Sequence, residues 1–296
     1  MTRRLAVALI ASALSALLPS GPTLAFQKRA FSSSTLGVRV DVLVTDGRTP
    51  VGGLTAADFE LRDNGVLQAI DVVDTSDIPV NAVLALDTSF STKGQRQADL
   101  VAASDALLDL LKPIDRAALT TFSHAVAPRI ALTSDLAAVR AELRRIEPEG
   151  ETAVMDGAYV ALTATLAQTG RSLVVVCTDG YDTSSWLTPE EVLEGAKRSN
   201  AVIYAVTAAE SRRQSPLKDL TDATGGHMLQ VTAGGDLSGA FQKILLDFRS
   251  RYILAYSPQG VPAEGFHRVD VRMKRRGLTA RARPGYIGLG PVRRAR

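Results

Sequence analysis

Residues 84–91 read LALDTSFS, an apolar run that ends in an aspartate and is followed by two serines at alternate positions. The run begins at residue 80, as VNAVLAL, and a continuous apolar stretch of this length is typical of a strand that is covered on both faces. Two further runs have the same character, RSLVVVCT at residues 171–178 and AVIYAVT at residues 201–207. These three stretches predict the central strands of a buried sheet.

The segments between these apolar runs have the spacing of helices. Residues 97–113, QADLVAASDALLDLLKP, place apolar side chains three and four positions apart and end at a proline. Residues 188–200, TPEEVLEGAKRSN, begin with Thr188, Pro189 and Glu191, which together have the signature of a capping box with proline at the first helical position. Strands that alternate with helices predict an α/β fold with a doubly wound, mostly parallel sheet.

The segments on either side of this α/β region have the pattern of strands. VRVDVLVT at residues 38–45 places valine at every second position, the period of a half-buried strand, and Asn64-Gly65 indicates a hairpin turn. FHRVDVRMK at residues 266–274 alternates in the same way. Neither β segment has enough strands to be stable alone. We therefore predict that the two pair into a small β-sandwich that flanks the α/β domain or receives it as an insertion.

Together these patterns divide the chain into five predicted regions. They are a signal peptide at 1–25, an N-terminal β segment at 26–78, the α/β domain at 79–249, a C-terminal β segment at 250–289 that pairs with the first, and a basic tail at 290–296.

The predicted signal peptide has two arginines, a short apolar run and a small-residue cleavage site. The apolar run is short for a spanning helix. We expect cleavage after Ala25, export to the periplasm or out of the cell, and no membrane span in the mature chain. An uncleaved N-terminal anchor is the alternative.

The positive net charge does not indicate nucleic-acid binding. The formal charge of +3 falls to +1 when Arg3 and Arg4 leave with the signal peptide, because 32 basic residues then face 31 acidic ones. Basic residues are concentrated after residue 249, where they form either the solvated face of strands or a surface for an acidic partner. The single cysteine, Cys177, excludes an internal disulfide and is expected to be a buried apolar side chain.

Acidic and hydroxyl side chains collect where strands of the predicted sheet end. Asp87 and Asp179 each follow an apolar strand, and ligands of doubly wound sheets bind beyond the carboxyl ends of strands where strand order reverses. Ser89 and Ser91 lie at alternate positions and can converge, and Thr152, in GETAVMDG, can add a third hydroxyl. Two carboxylates and three hydroxyls form an all-oxygen set that suits a hard divalent cation, Mg²⁺ or Mn²⁺.

The motifs DTSFS, GET and TDG together resemble the metal-ion-dependent adhesion site of von Willebrand factor type A domains, which reads Asp-x-Ser-x-Ser, then Thr, then Asp. The resemblance spans roughly residues 80–248, and the flanking segments resemble exported bacterial proteins related to this family. It implies that the three hydroxyls contact the metal directly. It also implies that Asp87 and Asp179 act through water or by orienting ligands, and that an open position takes an Asp or Glu carboxylate of a protein partner.

The resemblance implies a binding function and no enzymatic activity: an exported, metal-dependent adhesion or scaffold module. Two alternatives are left open, a structural domain of the same type without a partner at its metal, and a Mg²⁺-dependent hydrolase. The hydrolase is less favoured because position 89 is serine where Asp-x-Asp phosphotransferases have their second acid. The sequence also contains no P-loop, no Gly-x-Ser-x-Gly and no Cys-x-x-Cys motif.

Three side chains near the predicted metal site are candidates for partner contact. Phe90 lies inside DTSFS, Asp182 follows the second acid in TDGYDTSS, and Trp186 is the only tryptophan. Each also has a structural interpretation: Phe90 and Trp186 can be packing residues, and Asp182 can form a turn or an ion pair. The three histidines have no metal-ligand spacing and are interpreted as structural.

Overall fold

The computed structural model describes residues 37–166, 168–208, 216–232 and 234–290. The predicted signal peptide, the first part of the N-terminal β segment and the end of the basic tail lie outside these ranges. In the described residues, a six-stranded sheet has helices packed on both faces, and two smaller antiparallel sheets accompany it. The predicted fold class, a mostly parallel α/β sheet flanked by a small β-sandwich, is confirmed.

The strands and helices of the described residues are numbered in chain order. The strands are β1 (Val38–Asp46), β2 (Thr49–Pro50), β3 (Phe59–Asp63), β4 (Val66–Leu67), β5 (Asp71–Val73), β6 (Val80–Asp87), β7 (Arg116–Phe122), β8 (Val126–Thr133), β9 (Arg171–Thr178), β10 (Val202–Ala208), β11 (Met228–Val231), β12 (Tyr252–Tyr256), β13 (Glu264–Met273), β14 (Leu278–Arg281) and β15 (Gly285–Leu289). The helices are α1 (Gln95–Leu108), α2 (Leu136–Leu143), α3 (Val154–Thr163), α4 (Pro189–Arg198), α5 (Pro216–Thr224) and α6 (Leu237–Arg249).

The central sheet has the strand order β11-β10-β9-β6-β7-β8. Every neighbouring pair is parallel except β7 and β8, which are antiparallel. The chain enters the sheet at β6, crosses through α1 to β7 on one side, and later returns to β9 on the other side. The strand order therefore reverses between β6 and β9, and the crevice beyond their carboxyl ends is the expected ligand position of such a sheet.

The apolar runs of the sequence are strands buried on both faces. All eight residues of β6 and all eight of β9 are buried. Along β6 successive side chains point to opposite faces, so that Leu84 and Leu86 pack in the core with α1 and α6, whereas Val83 and Ala85 pack in the core with α3 and α4. Because both faces are covered, the strand shows no polar alternation.

Two antiparallel sheets form the flanking sandwich. One has the order β14-β1-β12-β5 with β2 on β1, and the other has the order β15-β13-β3-β4. N-terminal strands pair with C-terminal ones in both, β1 with β12 and β14, and β3 with β13. Val42, Leu61 and Leu254 are fully buried in their shared core. The β3–β4 hairpin turns at Asn64 and Gly65, whose φ values of 47° and 83° are those of the tight turn that Asn-Gly predicts.

A buried carboxylate, Asp63 on β3, connects the N-terminal segment to three C-terminal strands. The Oη atoms of Tyr256 and Tyr286 each donate to Asp63 Oδ2 at 2.9 Å, and His267 Nδ1 lies 2.8 Å from Asp63 Oδ1. Burial raises the pKa of both tyrosine hydroxyls, so they stay protonated and remain donors. One carboxylate thus satisfies polar groups of β12, β13 and β15.

Buried arginines connect the sandwich to the central sheet. Arg171 Nη2 at the start of β9 donates to Asp41 Oδ1 on β1 at 2.5 Å. Arg251, just before β12, donates from Nε to Tyr204 Oη on β10 at 3.1 Å. The amino ends of the central strands are therefore fixed to the sandwich, and the carboxyl ends are left for the site.

Strand β8 is the strand of the central sheet that the sequence patterns did not reveal. It is the edge strand beside β7, and its residues are partly or fully exposed. An edge strand of this kind has no continuous apolar run, which is the signal that revealed β6, β9 and β10. Among the described residues, no helix combines the length and the apolar character needed to cross a bilayer.

We expect Asp63→Ala to lower the free energy of unfolding by about 3–5 kcal/mol, because it leaves two buried hydroxyls and a buried imidazole nitrogen without their acceptor. Urea unfolding followed by circular dichroism measures this loss. Asp46→Ala is the matched control, because it also removes an aspartate side chain from the sandwich but at an exposed position on β1. It should change the free energy of unfolding by less than about 0.5 kcal/mol. Similar losses in the two variants would contradict the role given to Asp63.

Candidate functional site

The two predicted acids lie side by side at one edge of the central sheet. Asp87 is the last residue of β6, and Asp179 directly follows β9. The two strands are parallel neighbours in a register that pairs Leu86 with Cys177. Both acids therefore stand at the point where strand order reverses, as predicted from the sequence.

Hydrogen bonds connect the two acids through the serines of DTSFS. Ser89 N donates to Asp87 Oδ1 at 2.9 Å, and the Oγ atoms of Ser89 and Ser91 lie 2.9 Å apart. Ser91 Oγ then donates to Asp179 Oδ1 at 2.7 Å. The extended backbone at Ser89 directs both hydroxyls toward the same point, which is the arrangement that the alternate spacing predicts.

Thr152 joins this group from the loop before α3. Phe90 N donates to Gly150 O at 3.0 Å and Glu149 N donates to Thr88 O at 2.8 Å, so the loop is attached to the DTSFS segment by its backbone. Thr152 Oγ1 lies 3.7 Å from the place where a β-carbon on Gly180 would stand, next to Asp179. The five predicted residues therefore lie at one edge of the central sheet, and we call them the oxygen cluster: Asp87, Ser89, Ser91, Thr152 and Asp179.

The oxygen cluster is buried at one end and open at the other. Asp87 is 1% exposed, and Ser89 and Thr152 are also buried, whereas Ser91 is exposed and Asp179 is partly exposed. Burial raises the pKa of the Asp87 carboxyl, and the nearby charge of Asp179 adds to the effect, while hydrogen bonds from Thr178 and Ser89 oppose it. A cation beside Asp87 would stabilise its ionised form in this buried position.

Two neighbours on β9 complete the surroundings of Asp87. Thr178 Oγ1 donates to Asp87 Oδ2 at 2.5 Å. Cys177 is buried, and burial raises the pKa of its thiol, with the charges of Asp87 and Asp179 adding to the shift. The thiol is therefore neither an activated nucleophile nor a thiolate ligand.

Arg96, in the first turn of α1, is a charged member of the site that the sequence analysis missed. Its Nη1 forms an ion pair with Asp179 Oδ2 and donates to Ser91 O at 3.3 Å. The sequence contained one signal for it, a basic residue five positions after Ser91 and directly before the predicted helix at residues 97–113. Thr178 was also overlooked, although it directly precedes Asp179.

The structure separates the three predicted partner contacts. Phe90 is 58% exposed and Trp186 is 93% exposed, so neither is a packing residue. Asp182, in contrast, directs its carboxylate into the fold, where Oδ2 accepts from Met155 N and Oδ1 accepts from Ser185 N, both at 3.0 Å. This position favours the interpretation of Asp182 as a turn former that caps α3 over a contact with a partner.

Hydrogen bonds attach the loop that carries Trp186 to α3. The backbone nitrogens of Trp186 and Leu187 donate to the two carboxylate oxygens of Asp156 at 3.0 and 2.9 Å. The next residue back, Ser185, accepts at Oγ from Met155 N at 3.0 Å. The exposed indole of Trp186 therefore extends from a backbone that is hydrogen-bonded to the first turn of α3.

A cavity of about 110 Å³ adjoins the oxygen cluster between α1, α6 and the strand ends. Among the residues that the structure describes, its charged lining consists of Asp87, Asp99, Asp179 and Arg96. Three carboxylates against one guanidinium give it an excess of negative potential, which attracts cations.

The donors of the oxygen cluster fit a hard divalent cation. They are all oxygens, and three of the five are neutral hydroxyls, a set that suits Mg²⁺ or Mn²⁺ more than a softer ion. In the part of the chain that the structure describes, no group of three or more His, Cys, Asp or Glu side chains is placed to hold a metal.

Residues 82–181 match the family model of the von Willebrand factor type A domain, and this stretch contains the whole oxygen cluster. The predicted resemblance to von Willebrand factor type A domains is thereby confirmed for this part of the chain. Comparison with curated proteins gives no match.

Solved structures with a similar fold include a von Willebrand factor type A protein from Catenulispora acidiphila. It is 14% identical with a TM-score of 0.51, over 79% of this chain and 74% of that one. Proximal thread matrix protein 1 from the mussel byssus is 16% identical with a TM-score of 0.52, over 62% and 49% of the two chains. An aerotolerance-related membrane protein from Bacteroides fragilis is 18% identical with a TM-score of 0.48, over 57% and 98%. The two likenesses with TM-scores above 0.5 show a shared fold.

We expect Thr178→Val to lower the free energy of unfolding by about 1–3 kcal/mol, because the buried Asp87 carboxylate loses its hydroxyl donor. Thr178→Ser keeps the hydroxyl and should lose about 1 kcal/mol or less, the value of one buried methyl group. Urea unfolding in the presence of EDTA compares the two variants without any contribution from a cation. Equal losses would show that the hydrogen bond to Asp87 does not stabilise the fold.

Proposed function

We propose that the oxygen cluster holds Mg²⁺ or Mn²⁺ and that a carboxylate from a protein partner completes the coordination. The chain then acts as a cation-dependent adhesion or scaffold module. The observation that carries this proposal is the continuous link from Asp87 through Ser89 and Ser91 to Asp179, at the reversal of strand order and within the part of the chain that matches the type A family model.

The hydroxyls of Ser89, Ser91 and Thr152 would hold the cation directly, and Asp87 and Asp179 would orient water or the hydroxyls around it. A mostly neutral set of direct ligands leaves most of the positive charge of a bound cation uncompensated, and that charge is what attracts an Asp or Glu side chain. The open end of the cluster at Ser91 is the side from which a partner can approach.

Exposed aromatic side chains near the open end support a protein partner. Phe90 lies within the DTSFS segment itself, and Trp186 extends from a loop whose backbone is already fixed by Asp156. Aromatic side chains on a rigid backbone are typical of residues that contribute most to protein–protein affinity, because ordering them on binding costs little entropy. We propose both as partner contacts.

We infer binding over catalysis from the chemistry of the site. A type A domain in residues 82–181 is consistent with a protein-interaction module. The position at which an Asp-x-Asp phosphotransferase has its general acid is Ser89, whose hydroxyl is shared with Ser91. Burial raises the pKa of the neighbouring Cys177 thiol, which disfavours the thiolate form of a nucleophile.

We also propose export, so that a partner outside the cytoplasm is available. This part of the proposal rests on the arginines, apolar run and cleavage site of residues 1–25.

The first test measures cation binding by isothermal titration calorimetry with MnCl₂ and MgCl₂. We expect wild type to bind one divalent cation, Asp87→Ala to abolish binding because the buried end of the cluster is removed, and Ser89→Ala to weaken it at least tenfold without a large change in melting temperature. Ser89→Ala keeps the test informative if Asp87→Ala is poorly folded.

Asp99→Ala is the matched control for this titration. It removes one carboxylate from the lining of the same cavity without touching the hydrogen bonds of the oxygen cluster. Its affinity should fall by no more than a few-fold. If Asp87→Ala and Ser89→Ala bind as well as Asp99→Ala does, the oxygen cluster is not the cation site.

The second test asks whether the bound cation has a position for a carboxylate. The relaxation rate of water protons in a solution of the Mn²⁺-loaded protein reports whether water is bound to the metal. We expect acetate or a short Asp-containing peptide to displace that water and so to lower the relaxation rate. The amide analogue, in which Asn replaces Asp, should leave the relaxation unchanged. A bound Mn²⁺ whose relaxation responds to neither peptide would favour the structural role over adhesion.

A further inference from the structure

The first turn of α1 places a positive charge at the oxygen cluster. Arg96 is the second residue of α1, and its guanidinium contacts Asp179 Oδ2 and Ser91 O. The dipole of a helix favours negative charge in its first turn and disfavours positive charge. Arg96 therefore breaks a local preference, and the contact with Asp179 compensates for it. Local rules broken in this way are characteristic of functional sites.

The carboxylate that Arg96 contacts has both of its oxygens engaged. Asp179 Oδ1 accepts from Ser91 Oγ at 2.7 Å, and Oδ2 is held by Arg96 Nη1. The Asp179 side chain is 17% exposed and the Arg96 side chain is 54% exposed, so the ion pair lies at a partly open surface where solvent screens it in part. Any cation that uses Asp179 has to compete with the guanidinium for it.

We propose that Arg96 sets the cation affinity of the oxygen cluster by competing with the divalent cation for Asp179. This inference rests on the proposed function. Arg96 supplies the one positive charge among the described residues that line the adjoining cavity, where three carboxylates otherwise favour a cation. Arg96 acts in two ways: it occupies an oxygen of Asp179, and its positive charge offsets part of the negative charge at the open end of the cluster.

Arg96 is thus an affinity-determining residue of this chain. With the guanidinium on Asp179, the acids of the cluster are partly neutralised and the fold does not depend on a cation to offset their repulsion. A bound cation needs Asp179 to orient its water or hydroxyl ligands, and this role draws the carboxylate away from Arg96. The apparent affinity is then the intrinsic affinity of the oxygens reduced by the free energy of the Arg96–Asp179 contact.

The test titrates Mn²⁺ into the full chain and reads free Mn²⁺ by electron paramagnetic resonance, so that no partner is needed. We expect Arg96→Gln to lower the dissociation constant for Mn²⁺ at least tenfold relative to wild type. The dissociation constant of Arg96→Lys should lie between those of wild type and Arg96→Gln. Lys93→Gln is the matched control, because Lys93 carries the same charge two residues after Ser91 but lies 4.4 Å over the Phe90 ring. It should change the dissociation constant less than threefold.

A second measurement separates competition from a change in folding. Without Mn²⁺, Arg96→Gln should melt at a lower temperature than wild type because Asp179 has lost its counter-ion. Saturating Mn²⁺ should then raise its melting temperature by more than it raises that of wild type. The double variant Asp87→Ala, Arg96→Gln should lose the additional Mn²⁺ affinity of Arg96→Gln. Such a loss would place the additional affinity at the oxygen cluster.

Two results would overturn the proposal, and they have different meanings for the function. If wild type binds Mn²⁺ and Arg96→Gln gains no more affinity than Lys93→Gln does, Arg96 does not compete, and the proposed function stands. If neither wild type nor Arg96→Gln binds Mn²⁺, the oxygen cluster is not a cation site, and the proposed function fails together with the role of Arg96.

Discussion

The parallel pairing of β6 with β9 is the constraint on which the rest of the site depends. Both strands are buried on both faces, and a shift of one residue would move every side chain of β6 into the opposite core. The two apolar cores therefore fix the register, and the register puts Asp87 beside the end of β9. The position of Asp87 and Asp179 therefore follows from the packing of apolar side chains on both faces of β6 and β9.

The loops of the site are organised as firmly as the strands that support them. The DTSFS segment and the loop before α3 exchange backbone hydrogen bonds, and Asp156 and Asp182 fix the loop that carries Trp186. At the other end of the sheet, Arg171 and Arg251 connect the strands to a sandwich that closes around Asp63. Such preorganisation lets a binding site use its contact energy for the ligand, with little lost to ordering.

The sequence predicted those features that depend on periodicity or on a short motif. Continuous apolar runs identified β6 and β9, and Asn64-Gly65 identified a hairpin, because each signal is local. The edge strand β8 was missed because partial exposure leaves no apolar run. Arg96 and Thr178 were missed because their roles arise from contacts across the sheet edge, and Asp182 was interpreted from its nearness in sequence to Asp179 although its carboxylate faces α3.

The most direct test of the account is an anomalous difference map from a crystal soaked in MnCl₂, collected near the manganese edge. The account predicts one strong peak within coordination distance of the hydroxyls of Ser89, Ser91 and Thr152, with Asp87 and Asp179 beside it. A peak elsewhere in the molecule, or a fully ordered oxygen cluster without any peak at saturating Mn²⁺, would contradict the central claim that these five side chains form a cation site.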